Sequence, residues 1–165
     1  MIITGRTWKY GDSINTDGIF PGKYTYSTMS PEEMAKHAME NLDPQFVSKV
    51  RAGDILIAGS NFGCGSSREQ AVICLKASGI RAIVGKSFAR IYYRNSINNG
   101  LLAIQCPEAV DVVNEGEEIT INTEKCTVAY SKGIFSFPPL APSVLEIMET
   151  GGLIPFTIKR LKARP

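Results

Sequence analysis

The sequence predicts a single α/β domain with a mixed sheet over residues 1–165. In the middle of the chain, a short apolar run, a glycine-rich turn and a nearly all-apolar helical run follow one another, and the alternation of strand and helix then repeats. Towards the carboxyl terminus, short runs alternate apolar and polar residues, which is typical of half-exposed antiparallel strands. A chain of 165 residues, 44% of them hydrophobic, is long enough for one domain with a packed core.

The first part of the chain predicts a strand, a loop and a helix. The segment up to Pro21 is expected to hold a strand and turns, and its GDSINTDGIFPGKY region is dense in turn formers, which favours a loop. The run SPEEMAKHAMENL predicts a helix with Ser30 as its N-cap and a proline in its first position. His37 on this helix is interpreted as a surface residue.

The middle of the chain predicts parallel strands joined by helices. Asp54 to Ala58 is a short apolar strand, followed by the turn GSNFGCGSS and the helix REQAVICLKAS, which ends at Gly79. The pattern then continues with the strand RAIVGKS, the helix FARIYYRNSINN and the strand LLAIQC. A strand, helix and strand in this order make a right-handed unit with a parallel strand pair.

The last third predicts antiparallel strands between two helices. The helix EAVDVVNEG precedes the strands EEITIN, CTVAY and GIFSF. The run PSVLEIMET then predicts a helix that ends at Gly151 and Gly152, and a solvated basic tail, RLKARP, follows.

Charge and hydropathy exclude two classes of partner. A net charge of +2 with no run of like charges lacks the one-sided basicity of a nucleic-acid surface. No segment approaches the roughly 18 consecutive apolar residues of a membrane span, and the amino terminus does not resemble a signal peptide. The sequence therefore predicts a cytoplasmic protein that binds neither nucleic acid nor membrane.

The cysteines predict no metal centre on this chain. Cys64, Cys74, Cys106 and Cys126 are widely scattered, with no CxxC pair and only His37 as a histidine. Cys74 and Cys106 are interpreted as small buried hydrophobic residues.

The turn GSNFGCGSSREQA is the strongest candidate for chemistry. Gly63 and Gly65 let the backbone turn tightly, and Ser66, Ser67 and Arg68 are expected at the amino terminus of the following helix. Unpaired N–H groups and the helix dipole favour an anion there, and Arg68 adds a bidentate clamp.

Three chemical uses of this turn compete with a structural one. A P-loop would need Gly-Lys-Ser/Thr, and the dinucleotide fingerprint would need a third glycine, so both are weaker than carboxylate chemistry. The alternative in which Ser66 merely caps the helix explains one serine but not two serines and an arginine.

The motifs GCGSSRE, KSFARIYYRNSINNGL and INTDGIFPG together resemble the small subunits and the matching swivelling domain of the aconitase superfamily. The resemblance covers most of the chain and implies a mixed-sheet swivelling β/β/α domain. Within KSFAR, Arg90 is interpreted as structural, for example paired with Glu69 or capping carbonyls, with a contact to a partner subunit as the alternative.

The resemblance implies a hydro-lyase that moves a hydroxyl between adjacent carbons of a malate-type acid. It assigns Ser66 as the base, Arg68 as a ligand of a substrate carboxylate and Ser67 as a supporting polar contact. Asp17 of INTDGIFPG is a further substrate-binding candidate, with an ordinary Asp-Gly turn residue as the alternative reading.

The resemblance also implies a partner and a cofactor. Family members hold a [4Fe–4S] cluster on three cysteines of a much larger domain, where the iron acts as a Lewis acid. This chain has no comparable cysteine cluster, so a large, cluster-bearing subunit is expected as its partner.

The loop PGKYTYSTMSPEE is expected by resemblance to face the variable side group of the substrate. Family members that act on an additional carboxylate tend to have an arginine where this chain has Thr28. Met29 and Tyr26 favour a branched apolar substituent, which makes isopropylmalate the expected substrate. Lys23 is a nearby cation that would admit a second, acidic substrate.

Two alternatives to the predicted function stay open. The loop PGKYTYSTMSPEE could also be only a mobile linker. Homoaconitate, citraconate or dimethylmalate chemistry would keep the enzyme class and change the substrate. A carboxylate-binding regulatory module without catalysis would use the same glycine-rich turn.

Overall fold

The computed structural model describes residues 1–163 of the chain, so Arg164 and Pro165 of the predicted basic tail lie outside the described part. Within it, the strands of one sheet are ordered β4-β3-β2-β1-β5-β6-β7. Their bounds are β1 Ile2–Tyr10, β2 Ile55–Ala58, β3 Ala82–Gly85, β4 Leu102–Gln105, β5 Glu118–Asn122, β6 Thr127–Tyr130 and β7 Gly133–Ser136.

Helices connect and flank these strands. They are α1 Thr16–Ile19, α2 Pro31–Ala35, α3 Phe46–Lys49, α4 Gln70–Ala77, α5 Arg90–Asn98, α6 Pro107–Val112, α7 Pro142–Glu149 and α8 Leu153–Lys162, with a 3₁₀ turn at Gly22–Tyr24.

The sheet is mixed, which confirms the predicted fold class. Strands β1 to β4 pair in parallel, and β5 to β7 pair antiparallel. Strand β1 joins the two halves, because it lies parallel to β2, with Thr7 opposite Ile55, and antiparallel to β5, with Ile3 opposite Ile121.

The core lies on both faces of the sheet. Along β2, the side chains of Leu56 and Ala58 enter one hydrophobic cluster and those of Ile55 and Ile57 enter the other. The first cluster contains residues of α3, α4 and α5, and the second contains residues of α6 and α7. A short strand that is buried on both faces reads as a continuous apolar run, which is why the sequence locates β2 well.

The helix predicted over SPEEMAKHAMENL is shorter than expected. Its start is confirmed, since Ser30 and Glu33 form a capping box, but α2 ends at Ala35. Met39 adopts a left-handed φ of 61° and is completely buried, and its N–H donates to Ile19 O at 2.7 Å. Burial of Met39 therefore outweighs the local helical pattern, and the chain from residue 36 to 42 forms turns.

Two further elements differ from the prediction. The loop before Tyr24 contains the single helical turn α1, which Asn15 caps by accepting from the Gly18 N–H at 2.7 Å. The residues after Gly152, for which no helix was predicted, form α8, and the described residues of the predicted tail, from Arg160 on, are exposed at its end. Pro155 lies in the first turn of α8, where a missing N–H costs nothing.

Candidate active site

The candidate site lies where the loops after β1 and β2 run side by side. The Thr16 N–H donates to Cys64 O at 2.8 Å, and the Gly63 N–H donates to Ile14 O at 2.7 Å. Because β1 and β2 are neighbouring parallel strands, their carboxyl ends reach the same edge of the sheet. Residues about 50 positions apart in sequence are thereby brought together.

Ser66 is exposed on this edge and is hydrogen bonded to a residue that the sequence analysis missed. Its Oγ lies 3.2 Å from Oγ1 of Thr16, which also donates to Ser66 O at 3.0 Å. Thr16 is 2% exposed. Its position inside INTDGIFPG, next to Asp17, was the only available signal.

The predicted start of the helix after the glycine-rich turn needs a correction. Helix α4 begins at Gln70, so Ser66, Ser67 and Arg68 precede it in an irregular turn, in which the Arg68 N–H donates to Ser66 O at 2.9 Å. The backbone N–H groups of Ser67, Glu69 and Gln70 donate no hydrogen bond within residues 1–163. These free donors keep the turn suited to an anion.

Arg68 and Asp17 form an ion pair beside Ser66. Nη1 of Arg68 donates to Asp17 Oδ1 at 2.9 Å and to Phe20 O at 3.2 Å. The same Asp17 oxygen accepts the Gly22 N–H at 2.8 Å. The hydrogen bond from Arg68, and then that from Gly22, hold the pKa of Asp17 below its ordinary value.

The guanidinium of Arg68 therefore has one end fixed and one end free. A Cβ atom at position 22 would lie 3.0 Å from Nη2, so glycine leaves room for this end of the side chain. Nη2 donates no hydrogen bond to any other part of the described chain. It is available to an anion such as a carboxylate.

Ser67 and Thr28 are the predicted site residues that the structure constrains least. Both are exposed, and the structure gives neither side chain a hydrogen bond within residues 1–163. The loop that contains Thr28 touches the start of α4, since Gln70 Nε2 donates to Thr25 O at 3.5 Å. Thr28 thus lies on a separate loop, and its predicted contact with substrate stays a prediction.

A cleft of about 780 Å³ opens beside Ser66. Its other wall is α5, from which Arg90, Ile91 and Arg94 line it. Ile91 is 54% exposed, and both arginines are exposed. Neither arginine forms an ion pair among residues 1–163, so the predicted pairing of Arg90 with Glu69 is wrong.

Residues 1–163 contain no group of three His, Cys, Asp or Glu side chains placed to bind a metal ion. Cys74 and Cys106 are completely buried, which confirms their reading as hydrophobic residues. Burial raises the pKa of both thiols, which disfavours the thiolate that a metal requires. Within the same range, no helix is both long and apolar enough to cross a membrane.

The site at this edge of the α/β sheet is suited to binding an anion. It combines an exposed serine, an arginine with one unpaired guanidinium nitrogen, and unpaired backbone N–H groups. Comparison with known proteins identifies the family of the chain that contains this site. Residues 10–109 match the family described as aconitase C-terminal domain. The chain belongs to the aconitase C-terminal domain family.

Relatives of nearly the same length carry a more specific name. The chain is 49% identical to the 3-isopropylmalate dehydratase small subunit of Thermodesulfovibrio yellowstonii, over 98% of this chain and 96% of the relative. It is 48% identical to the 3-isopropylmalate dehydratase small subunit 1 of Methanopyrus kandleri, over 93% of this chain and 91% of the relative.

Solved structures agree with these relatives. The crystal structure of 3-isopropylmalate dehydratase from Methanocaldococcus jannaschii superposes with a TM-score of 0.92 and 43% identity, over 98% of this chain and 96% of that one. Aconitase X from Thermococcus kodakaraensis has a TM-score of 0.51 and 13% identity, over 84% of this chain and 91% of that one, and is similar in fold alone.

Proposed function

We propose that this chain is the small subunit of a 3-isopropylmalate dehydratase, a hydro-lyase that interconverts 2-isopropylmalate and 3-isopropylmalate in leucine biosynthesis. One observation supports it most strongly: Ser66 and the free end of Arg68 share an anion-ready turn in a chain so similar to relatives of that name. Ser66 is the base, Arg68 binds a carboxylate, Ser67 is a supporting contact and Asp17 positions Arg68.

Ser66 takes the proton from the carbon next to a substrate carboxylate. A serine hydroxyl is a poor base in water, so its alkoxide needs nearby donors. The hydroxyl of Thr16, the free N–H groups after Ser66 and the charge of Arg68 are such donors. They act more strongly once the cleft is closed to solvent.

Arg68 stabilises the charge that this proton transfer creates. The electron pair left on carbon is delocalised into the neighbouring carboxylate, which then bears more negative charge than in the ground state. The hydroxyl leaves the adjacent carbon, takes up a proton and is released as water, which gives an unsaturated diacid. A water molecule then loses a proton and adds its hydroxyl to the carbon that was deprotonated, while Ser66 returns its proton to the carbon that carried the hydroxyl, which gives the isomer.

We place the [4Fe–4S] cluster on a larger partner subunit that covers the cleft beside Ser66. The bound cluster supplies a Lewis acid for the substrate hydroxyl and a carboxylate. The buried thiols of Cys74 and Cys106 do not fit a cluster on this chain. Arg90 and Arg94 are cations at the open cleft, suited to acidic residues of the partner.

Reconstitution tests this division of labour. The isolated chain, purified anaerobically with iron and sulfide, should be folded, colourless and inactive, and co-expression with the cluster-bearing subunit should give turnover of 2-isopropylmalate. Iron-sulfur absorption on the isolated chain, at one cluster per protein, would refute the two-chain proposal. Binding of 2-isopropylmalate without turnover in the complex would instead indicate a regulatory module.

The same complex tests the role of Thr28 in substrate choice. We expect a higher kcat/KM for 2-isopropylmalate than for homocitrate or citramalate. Thr28→Arg should move the ratio towards homocitrate by about tenfold, because a guanidinium forms a charge-assisted pair with the third carboxylate. Ser27→Arg, on the same exposed loop, is the matched control. A wild type that prefers homocitrate, or an equal shift in the two variants, would contradict this role.

A further inference from the structure

A cluster of polar side chains adjoins the loop that leads to Thr28. We call Lys23, Tyr24, His37 and Glu40 the Glu40 cluster. Oε1 of Glu40 accepts from Lys23 Nζ at 2.6 Å, and Oε2 lies 2.7 Å from His37 Nδ1 and 3.4 Å from the Tyr24 hydroxyl oxygen. The Glu40 carboxylate is thus held by donors from three residues.

Tyr24 also packs against the other two partners of Glu40. The Lys23 ammonium lies 4.8 Å from the centroid of the Tyr24 ring, and the centroid of the His37 ring lies 4.0 Å from the same point. A lysine over an aromatic ring gains a cation–π attraction in addition to its ion pair. The side chain of Lys23 is therefore directed into the Glu40 cluster by two contacts.

Lys23 is attached next to the residue that contacts the Arg68 and Asp17 pair. The N–H of Gly22 donates to Asp17, and a Cβ at position 22 would lie 2.7 Å from Asp17 Oδ1 and 3.0 Å from Arg68 Nη2. The four-carbon stem of Lys23 is long and flexible, so its ammonium has access to more than one position around this point.

Lys23 and Glu40 both stay charged at neutral pH. The hydrogen bond to Glu40 raises the pKa of Lys23, and the hydrogen bonds from Lys23 and then from His37 lower the pKa of Glu40. Glu40 thus compensates the positive charge of Lys23, the residue that the sequence predicts as a possible partner of an acidic substrate.

We propose that Glu40 is a specificity-determining residue, which holds Lys23 in the Glu40 cluster and so disfavours substrates with a third carboxylate. The inference rests on the proposed function. Without Glu40, Lys23 is an uncompensated cation one residue from Gly22, and it attracts the additional carboxylate of a substrate such as homocitrate. An isopropyl group gains nothing from that charge, so the change affects one substrate and not the other.

The test compares kcat/KM for homocitrate with that for 2-isopropylmalate in the reconstituted complex. Glu40→Gln should raise this ratio by about fivefold, the size expected for one freed charge near the protein surface. The double variant Glu40→Gln with Lys23→Met should return the ratio to the wild-type value. Glu32→Gln, an exposed glutamate of α2 without an ion pair in the described chain, is the matched control.

Three results would overturn the inference: an unchanged ratio in Glu40→Gln, an equal loss for both substrates, or a raised ratio that persists in the double variant. An equal loss would give Glu40 a purely structural role, and a raised ratio in the double variant would show that Glu40 acts without Lys23. Wild-type turnover of 2-isopropylmalate separately checks the proposed function. If the wild type does not turn over 2-isopropylmalate, NMR titration of the isolated chain with tricarballylate, a tricarboxylate, still tests the role of Glu40. The Glu40→Gln chain should bind tricarballylate at least threefold more tightly than the wild type, and the double variant should not.

Discussion

The hydroxyl of Thr16 is the hydrogen-bond partner of the hydroxyl of Ser66. Thr16 Oγ1 has one hydrogen to donate, and it donates to Ser66 O. Its lone pairs are then free to accept the hydrogen of Ser66 Oγ, 3.2 Å away. When Ser66 loses its proton, Thr16 can turn its own hydrogen to the alkoxide. A buried partner of this kind restrains the Ser66 hydroxyl and would stabilise an alkoxide there, as the proposed role of Ser66 requires.

Substitutions at the site should separate chemistry from binding. Ser66→Ala should lower kcat by at least a hundredfold with KM nearly unchanged, and Thr16→Val should lower kcat less, because it removes a donor rather than the base. Arg68→Lys should also raise KM, since an ammonium cannot replace a bidentate fork. Steady-state kinetics of the reconstituted complex provide these values.

Ser131→Ala is the control for that series, because Ser131 is an exposed serine between β6 and β7, outside the candidate site. Its kcat should stay within a few fold of wild type. Near-wild-type turnover in Ser66→Ala would assign the base to another residue.

Single residues of the site were predictable where a local motif contains them. The glycine-rich turn predicted Ser66 and Arg68, and the structure brings Ser66 to Thr16 and Arg68 to Asp17. Thr16 could not be found in this way, because its role depends on a contact with a residue 50 positions away. Sequence spacing says nothing about which hydroxyl faces which across two loops.

Among the elements, α5 packs closely against the glycine-rich turn because only glycine fits at position 63. Gly63 has a φ of +77°, and a Cβ there would overlap the ring of Tyr92. Tyr92 is 1% exposed and packs edge-on against Phe62, with the ring centroids 5.2 Å apart. The close approach of backbone and ring fixes α5 as the wall of the cleft.

Gly63→Ala should therefore be strongly destabilising. It combines backbone strain at positive φ with overpacking against Tyr92, which together amount to a loss of about 2–4 kcal/mol in the free energy of unfolding. Gly116→Ala is the matched control, since Gly116 has a φ of +82° and a Cβ added there would have no neighbouring atom within 4 Å. Chemical denaturation of the isolated chain measures both losses, and equal losses would show that Tyr92 is not the cause.

Helices were predictable from their caps and less so from their interiors. Ser30 and Glu33 signalled the start of α2 correctly, but its end depended on the burial of Met39 under Ile19, a tertiary contact. Conversely, Gly151 and Gly152 suggested that regular structure had ended, although α8 begins at Leu153. A glycine pair ends one helix without preventing another from starting.

At the scale of the whole molecule, β1 is connected to β2 by a buried carboxylate as well as by the sheet. The side chain of Asp54, 5% exposed, accepts from Arg6 at 2.8 Å, from Trp8 Nε1 at 2.8 Å and from the Arg51 N–H at 3.0 Å. Burial alone would raise the pKa of Asp54, but these donors outweigh it and hold the pKa below its ordinary value.

Asp54→Asn should lower the free energy of unfolding by about 2–4 kcal/mol near pH 7, because buried donors lose a charged acceptor. The pKa of Asp54 is lower in the folded than in the unfolded chain, so its contribution is complete above the unfolded value. It is lost as the pH falls through the folded value, and the gap between wild type and variant should close below roughly pH 4.

Denaturant titrations between pH 3 and pH 7 measure this gap. Asp111→Asn, which removes the exposed partner of Lys86, is the control and should have little effect at any pH. A gap for Asp54→Asn that stays constant down to pH 3 would contradict the assigned role of its charge.

The class of the fold was predictable, but the order of its strands was not. Apolar runs located β2, β3 and β4, and alternating runs located β5, β6 and β7. Nothing local places β1 between β2 and β5, because that position is decided by pairing with strands that come much later in the chain.

The central position of β1 also affects the order in which the strands pair during synthesis. During synthesis, the amino-terminal strand meets β2 early, and all the segments that form the candidate site, from Thr16 to Arg94, can assemble on that parallel half. The other edge of β1 stays unpaired until β5 has emerged, since Ile2 pairs with Asn122. For that interval the nascent chain exposes an unpaired strand edge, which favours aggregation until β5 pairs with it.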